Sequence, residues 1–278
     1  MRTELEIGPL SEAVGAEVAG IDLAAPLAPP TLAALRQAWL DAGVLVFRDQ
    51  TLDADQFMAV ARAFGEPMEY PFLTGLAGHP MITEVIKLEH ETVNFGGVWH
   101  SDTTYLPAPP MATLLLARET PAVGGDTLFA SQVAADDALP TSMQARLSGL
   151  RAVNSSAKAE VARTREDRLR DHARPDASDV YEAVHPVVRE HPETGLLSLF
   201  VNPAHTVRFE GMDEAESAPL LAELFEHQVR PEFTCRVRWS PGTLAIWDNR
   251  SVLHFPINDY DGHRRVMHRI TLKGDVPV

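Results

Sequence analysis

The chain has 278 residues and a formal net charge of −15, and 45% of its residues are hydrophobic. The apolar content is enough for a full core, while the negative charge argues against binding to nucleic acids or anionic membranes. A single cysteine, Cys235, excludes an intramolecular disulfide and any cysteine-rich zinc or iron–sulfur site.

The N-terminus lacks the apolar stretch of a signal peptide, and no apolar run is long enough to span a membrane. We therefore expect a cytoplasmic protein whose partner is a small molecule, with no nucleic acid and no membrane involved. Strong local patterns allow more specific predictions along the chain.

The first third of the chain predicts two helices that flank one buried strand. Residues 31–41 have helical periodicity, and the apolar run 43–48 is bounded by residues that break regular structure. Asp53 and Gln56 have the spacing of a capping box, which predicts that a second helix begins there. Gly65 is typical of the position just after a helix end.

Beyond residue 80 the pattern changes to short apolar segments separated by turn residues, which predict strands at 112–118, 150–155, 184–189, 197–202, 234–239, 243–247 and 266–272. One late helix is indicated by a second capping box at Asp213 and Glu216. Many short strands with few helices favour a mainly β fold, a barrel or a sandwich, with flanking helices.

The segment 156–179 is rich in charged residues and almost lacks large apolar side chains. Its composition predicts a solvated helix or a mobile loop. A loop of this length in a compact domain is also typical of a lid over an active site, so this alternative stays open.

A His-x-Asp triplet, His100 to Asp102, indicates a metal site. If this segment is a strand, both side chains face one side and can bind one ion. A third ligand is available at His254, beside a predicted strand, and the next strand carries Arg265 and Arg269 on a shared face. Two histidines and one carboxylate form the facial triad of non-haem Fe(II) oxygenases, and an arginine suits the distal carboxylate of 2-oxoglutarate.

Several further motifs occur in a fixed order with these residues: 43–48 (GVLVFR), 64–65 (FG), 99–102 (WHSD), 124–127 (GGDT), 199–202 (LFVN), 246–250 (IWDNR) and 264–269 (RRVMHR). Their joint order and spacing resemble the taurine dioxygenase family of Fe(II)/2-oxoglutarate-dependent dioxygenases over essentially the whole chain. The resemblance implies one domain over residues 1–278, with a double-stranded β-helix (jelly-roll, cupin-like) core, and Fe(II), 2-oxoglutarate and O₂ as reactants.

The resemblance also implies roles for individual residues. His100, Asp102 and His254 match the iron ligands of the family and are the expected catalytic centre. Arg265 and Thr127 match the residues that bind the distal carboxylate of 2-oxoglutarate. Arg269 matches an arginine that faces an anionic group of the substrate. Because Asp102 is a carboxylate rather than a small residue, the resemblance implies hydroxylation rather than halogenation.

The substrate-facing positions differ from those that recognise taurine. They correspond here to Tyr70, Leu73, Gly96 and His205. We therefore expect a larger and more apolar substrate than taurine, with an acid group for Arg269. Candidates are an aryloxy or alkyl carboxylate, an alkyl sulfate or sulfonate, or an N-acylated amino acid.

Two other classes of function remain as alternatives at this point. One is a non-catalytic barrel that binds small acids, and the other is a hydrolase that uses a different divalent metal at the same triad. The family resemblance further implies a homo-oligomer, either a dimer or a tetramer.

Overall fold

A computed structural model describes residues 5–158 and 180–278. In these ranges the strands are β1 Glu6–Pro9, β2 Ala16–Ala19, β3 Val44–Phe47, β4 Pro67–Met68, β5 Thr83–Lys87, β6 Ala112–Glu119, β7 Thr127–Ser131, β8 Arg151–Ser155, β9 Glu182–Pro186, β10 Val188–Glu190, β11 Leu197–Leu199, β12 Thr206–Phe209, β13 Thr234–Val237, β14 Leu244–Asp248, β15 Val252–Pro256 and β16 Arg265–Leu272. The helices are α1 Pro29–Ala42, α2 Ala54–Phe64, α3 Gln132–Asp137, α4 Thr141–Leu147 and α5 Glu214–His227.

The strands form one large sheet and three small ones. The large sheet has the order β1-β2-β3-β14-β6-β16-β4, and β5 pairs with β16 as well. A three-stranded sheet with the order β13-β7-β15 lies opposite it, since side chains of both sheets share one hydrophobic cluster. The remaining strands form the sheet β12-β8-β9 and the hairpin β10–β11. The protein is thus mainly β with few helices, and its two facing sheets form the jelly-roll core that the resemblance implied.

Both faces of the central strands β3, β14, β6 and β16 of the large sheet are buried, which explains their continuous apolar runs. In β3, Val44 and Val46 face the cluster between the sheets, and Leu45 and Phe47 face the other side. On that other side they meet α1 and α2, for example at Trp39. A strand buried on both faces lacks the usual alternation of apolar and polar residues. The same parity in β16 turns Arg265, Met267 and Arg269 toward the space between the sheets.

The helices begin where the capping motifs predicted. The side chain of Asp53 accepts a hydrogen bond from the backbone N–H of Gln56, and the Gln56 side chain accepts one from the Asp53 backbone. Asp213 and Glu216 make the same reciprocal pair at the start of α5. Both capping boxes are therefore confirmed. The first helix begins at Pro29, slightly before the predicted start.

Other predicted boundaries were wrong. The predicted strand 184–189 is two strands, because β9 pairs with β8 whereas β10 pairs with β11, and the chain changes partner at Val187. The predicted strand 197–202 ends already at Leu199. Most of the segment 156–179, which was predicted to be a loop, helix or lid, lies outside the described residues. No helix within the described ranges is long and apolar enough to cross a membrane.

Candidate metal centre and its cavities

The two predicted histidine ligands lie on neighbouring backbone segments that are directly hydrogen-bonded. The backbone N–H of His100 donates to the carbonyl of His254 over 3.0 Å, and the reverse bond measures 2.8 Å. His254 lies within β15, not beside a strand as predicted. Asp102 lies in a turn after the single paired residue His100, so the two residues do not share a strand, and the condition stated for the His-x-Asp triplet is not met. The backbone turns at Thr103, whose φ is positive at 45°.

The turn nevertheless brings the three side chains together. Asp102 Oδ1 lies 3.7 Å from His100 Nε2 and 3.8 Å from His254 Nε2. All three residues are buried. One ligand atom from each lies within 4.8 Å of the other two, which is close enough for a single metal ion.

Both histidines are held in the neutral state that metal binding requires. Burial lowers the pKa of His100, and its Nδ1 lies 2.7 Å from the carbonyl oxygen of Val98. Because a carbonyl only accepts, Nδ1 carries the proton and Nε2 presents its lone pair toward Asp102. Burial and the proximity of His100 lower the pKa of His254 well below its ordinary value.

Asp102 is held as a carboxylate. Burial alone would raise its pKa, but the positive charge of Arg269, the two neighbouring imidazoles and the hydrogen bond from Thr113 together outweigh burial and lower the pKa well below the usual range. Its Oδ2 accepts a 2.5 Å hydrogen bond from Thr113 Oγ1. Asn249 Nδ2 donates to the same hydroxyl over 3.0 Å, and Asn249 Oδ1 accepts from Trp247 Nε1 over 2.9 Å. This chain of hydrogen bonds orients the carboxylate toward the histidines.

Arg265 lies between the sheets with only 6% of its surface exposed. Within the described part of the chain, its Nε and Nη2 have no hydrogen-bond partner. The guanidinium carbon lies 5.7 Å from the centroid of the Trp239 ring, and Trp239 Nε1 donates to Thr127 Oγ1 over 3.0 Å. A buried cation with unpaired N–H groups is costly, so this corner suits an anionic ligand.

Arg269 contacts the triad itself. Its Nη2 lies 2.9 Å from Asp102 Oδ1, although the angle does not meet hydrogen-bond geometry. The guanidinium carbon lies 4.7 Å from the centroid of the Tyr70 ring. Burial alone would lower the pKa of Arg269, but the carboxylate of Asp102 raises it. Arg269 is therefore a fixed positive charge beside the metal-ligating atoms.

Two small cavities adjoin the triad. The first is lined by Thr127, Arg265 and Arg269 together with all three triad residues. The second is lined by Tyr70, Gly96 and His205 together with His100 and Asp102. The structure thus brings together every predicted site residue except Leu73, which lines a neighbouring cavity instead.

Gly96 packs closely against a proposed metal ligand, since a Cβ atom at this position would lie 2.9 Å from His100 Cε1. Thr113, Asn249 and Trp239 were missed as partners of the site. Asn249 and Trp247 fall in the motif 246–250, but no local signal marks Thr113 or Trp239.

The donor set fits a divalent iron centre. Two neutral imidazoles and one carboxylate converge from one side, and cationic residues line the adjoining cavities. This arrangement matches the facial triad that leaves positions open for a chelating ligand and O₂. The unpaired N–H groups of Arg265 match the carboxylate of a small acid.

Comparisons with known proteins agree with this chemistry. The model of the family described as "Taurine catabolism dioxygenase TauD, TfdA family" matches residues 6–271. An alpha-ketoglutarate-dependent sulfate ester dioxygenase from Pseudomonas putida is 36% identical, over 99% of this chain and 91% of the relative. An alpha-ketoglutarate-dependent 2,4-dichlorophenoxyacetate dioxygenase from Cupriavidus pinatubonensis is 34% identical, over 97% and 98% of the two chains. The crystal structure of a taurine dioxygenase from Burkholderia xenovorans superposes with a TM-score of 0.83 at 35% identity, covering 99% of this chain and 92% of that one.

Proposed function

The chain belongs to the TauD, TfdA family of Fe(II)- and 2-oxoglutarate-dependent dioxygenases, and we propose that His100, Asp102 and His254 bind its iron. Membership in this family sets aside both the non-catalytic barrel and the metal hydrolase. The observation that carries the ligand assignment is the convergence of three deprotonated, buried donor atoms within 4.8 Å of one another.

Bound iron supplies the activation of O₂, in which 2-oxoglutarate is oxidised to succinate and CO₂ and a substrate C–H bond is hydroxylated. We propose that Arg265 and Thr127 orient 2-oxoglutarate through its distal carboxylate. An arginine can pair with a carboxylate through two parallel N–H donors, and a hydroxyl adds a third contact. The buried walls of the cavity exclude water from the reacting groups.

We propose a sulfate ester with an alkyl group as the substrate, bound through its sulfate by Arg269. The support is the similarity to the sulfate ester dioxygenase together with the buried charge of Arg269 beside the triad. Hydroxylation of the carbon that bears the ester oxygen gives an unstable product. It releases sulfate and leaves an aldehyde, so cleavage follows from hydroxylation alone.

A second candidate is an aryloxyalkanoate, which carries a carboxylate in place of the sulfate. Its support is the 34% identity to the 2,4-dichlorophenoxyacetate dioxygenase. In both candidates an anionic group lies near a carbon that is bonded to oxygen. Arg269 can therefore bind the anionic group of either candidate from the same position. The two differ in the released product, which is sulfate for one and a phenol for the other.

The ligand assignment is tested anaerobically by adding Fe(II) and then 2-oxoglutarate and recording the visible absorption of the chelate. We expect a band in the natural protein, no band in His100→Ala and a weaker affinity for 2-oxoglutarate in Arg265→Ala. An unchanged band in His100→Ala would overturn the ligand assignment. An unchanged affinity in Arg265→Ala would overturn the role of Arg265.

The substrate assignment is tested aerobically with hexyl sulfate, phenoxyacetate and taurine. We expect hexyl sulfate to give succinate, sulfate and hexanal in equal amounts. Arg269→Met should lose most of this turnover because the proposed anion contact is removed. It also removes the positive charge beside Asp102, so the anaerobic chelate band of this variant is recorded as the control for iron binding. Phenol release from phenoxyacetate without sulfate release from hexyl sulfate would favour the second candidate.

A further inference from the structure

A third cavity, which we call the side cavity, lies next to the two cavities at the triad. Its volume is about 260 Å³, and its walls include Leu73, Leu76, Val85, Ile86 and Phe95. It opens to solvent where exposed residues, Thr74, Ala77 and Glu84, form part of the lining. An apolar cavity of roughly 150 Å³ is enough to bind benzene, so the side cavity can hold a larger apolar group.

The walls of the side cavity are held by hydrogen bonds. On one side, the backbone N–H of Leu76 donates to the carbonyl of Ile82 over 2.8 Å, and the N–H of Ile82 donates to the carbonyl of His79 over 2.9 Å. On the other side, Asn94 Nδ2 donates to the carbonyl of Pro256 over 3.0 Å, which ties the segment before Phe95 to β15. The cavity is therefore preformed, as ligand sites usually are.

Phe95 connects the side cavity with the metal centre. This residue also lines both small cavities at the triad, and Val85 also lines the one that contains Arg265 and Arg269. The small cavities have volumes of only about 40 and 30 Å³. The smaller one has room for roughly two or three water molecules, which is enough for the head of a ligand but not for a long chain.

Resting on the proposed function, we propose that the side cavity binds the apolar tail of the anionic substrate while the anion lies at Arg269. Leu73 and Phe95 then set the length and width of the chain that the enzyme accepts. The carboxylate of Glu84 lies at the mouth, 3.6 Å from His268 Nε2, with 37% of its side chain exposed. It disfavours a second negative charge at the far end of the tail, so the preferred class is a monoanion.

The test is a series of linear 1-alkyl sulfates from ethyl to decyl. Each is titrated anaerobically into the Fe(II)–2-oxoglutarate enzyme, and its dissociation constant is read from the perturbed chelate band. Each added methylene should lower the dissociation constant about fourfold, which corresponds to about 0.8 kcal/mol, until the cavity is filled. A parallel series of linear alkanoates carries a carboxylate in place of the sulfate on the same alkyl chains.

Two variants locate the tail in the side cavity. Thr74→Trp places a large ring in the cavity. The factor by which each added methylene lowers the dissociation constant should therefore fall from about four toward one, while the dissociation constant of the shortest sulfate stays the same. Thr141→Trp makes the same replacement at an exposed threonine that does not line the cavity, and its series should match that of the natural protein. Glu84→Gln should improve binding of a sulfate with a terminal carboxylate several-fold and leave the plain alkyl sulfates unchanged.

The outcomes separate this proposal from the proposed function. Binding of short sulfates with no dependence on length, or equal dependence in Thr74→Trp, overturns the tail site and leaves the sulfate assignment intact. A length dependence in the alkanoates alone supports the tail site and removes the sulfate assignment. Failure of both series to bind overturns both.

Discussion

Trp239 contacts both of the groups proposed to bind 2-oxoglutarate. Its Nε1 donates to Thr127 Oγ1 over 3.0 Å, and the guanidinium of Arg265 lies over its ring. Because an indole N–H can only donate, the Thr127 hydroxyl accepts this bond and keeps its own hydrogen for another partner. Trp239 is therefore a positioning residue that turns the Thr127 donor toward the cavity.

We expect Trp239→Phe to raise the dissociation constant of 2-oxoglutarate roughly 3- to 10-fold, which reflects about 1 kcal/mol for one lost hydrogen bond. The ring over which Arg265 lies is kept. The constant is measured from the anaerobic chelate band. A merely structural effect would weaken the alkyl sulfate as well, whereas the proposed role leaves the affinity for the sulfate unchanged.

A double-mutant cycle with Thr127→Val provides the control for Trp239→Phe. If Trp239 acts through the Thr127 hydroxyl, the two changes together should weaken 2-oxoglutarate binding no more than Thr127→Val alone. Fully additive effects would contradict this role.

At the scale of secondary-structure elements, a buried ion-pair network joins the end of β14 to the β10–β11 hairpin. Asp248 Oδ1 accepts from Arg250 Nε over 2.8 Å, and its Oδ2 accepts from Arg250 Nη2 over 2.6 Å. His191 Nε2 lies 3.0 Å from the same Oδ2, and Arg250 Nη1 donates to Glu193 over 2.8 Å. Because His191 and Glu193 belong to the hairpin turn, the network fixes the hairpin against the large sheet.

The pKa of Asp248 makes the strength of this network dependent on pH. Burial alone would raise the pKa, but hydrogen bonds from Arg250 and His191 outweigh burial and lower it from 3.8 to about 2. The folded-state pKa is below the unfolded one, so the stabilisation is complete above about pH 4 and is lost as the pH falls toward about 2. Its size is about 2 kcal/mol.

We expect Asp248→Asn to lower the free energy of unfolding by at least about 2 kcal/mol at pH 7, since Arg250 then loses its buried partner. The difference from the natural protein should shrink as the pH is lowered below about 4. Urea unfolding over this pH range measures both effects, and Asp261→Asn at an exposed aspartate serves as the control. A difference that stays constant with pH would show that the charge of Asp248 is not responsible.

The elements that sequence reasoning predicted are those with strong local patterns. The apolar runs of β3 and β6 and the capping boxes of α2 and α5 are encoded within a few neighbouring residues. Strands β7 and β15 were missed although turn residues precede both of them, at 124–126 and 248–250. Each strand takes its pairing partners from distant parts of the chain, which no local pattern reveals.

The candidate site likewise contains features that the sequence predicts and features that arise only on folding. The residue types and spacings of His100, Asp102, His254 and Arg265 are visible in the sequence, but the turn at Asp102 is not. The hydrogen bonds of Asn249 and Trp239 to the site span 136 and 112 residues, respectively. Such contacts exist only once the sheets have packed, so no local pattern predicts them.

For the whole molecule, the formal charge of −15 opposes the approach of the anions that the site is proposed to bind. Arg265 and Arg269 act at short range because both are buried between the sheets. The global field therefore governs the approach of a ligand, and the two arginines govern its retention. The dimer or tetramer implied by the family resemblance stays a prediction, and sedimentation velocity would test it.

This division of roles predicts an unusual response to salt. Raising the ionic strength from about 10 mM to about 150 mM shortens the screening length from about 30 Å to about 8 Å, so the repulsive field is largely removed. The association rate constant should then rise, roughly twofold for a monoanionic alkyl sulfate and roughly fourfold for dianionic 2-oxoglutarate. Stopped-flow absorption of the anaerobic chelate measures both rates, and potassium acetate in place of potassium chloride controls for specific chloride binding. If both rates instead fall with salt, the local field of Arg265 and Arg269 must extend into solvent and attract the ligands against the net charge of the protein.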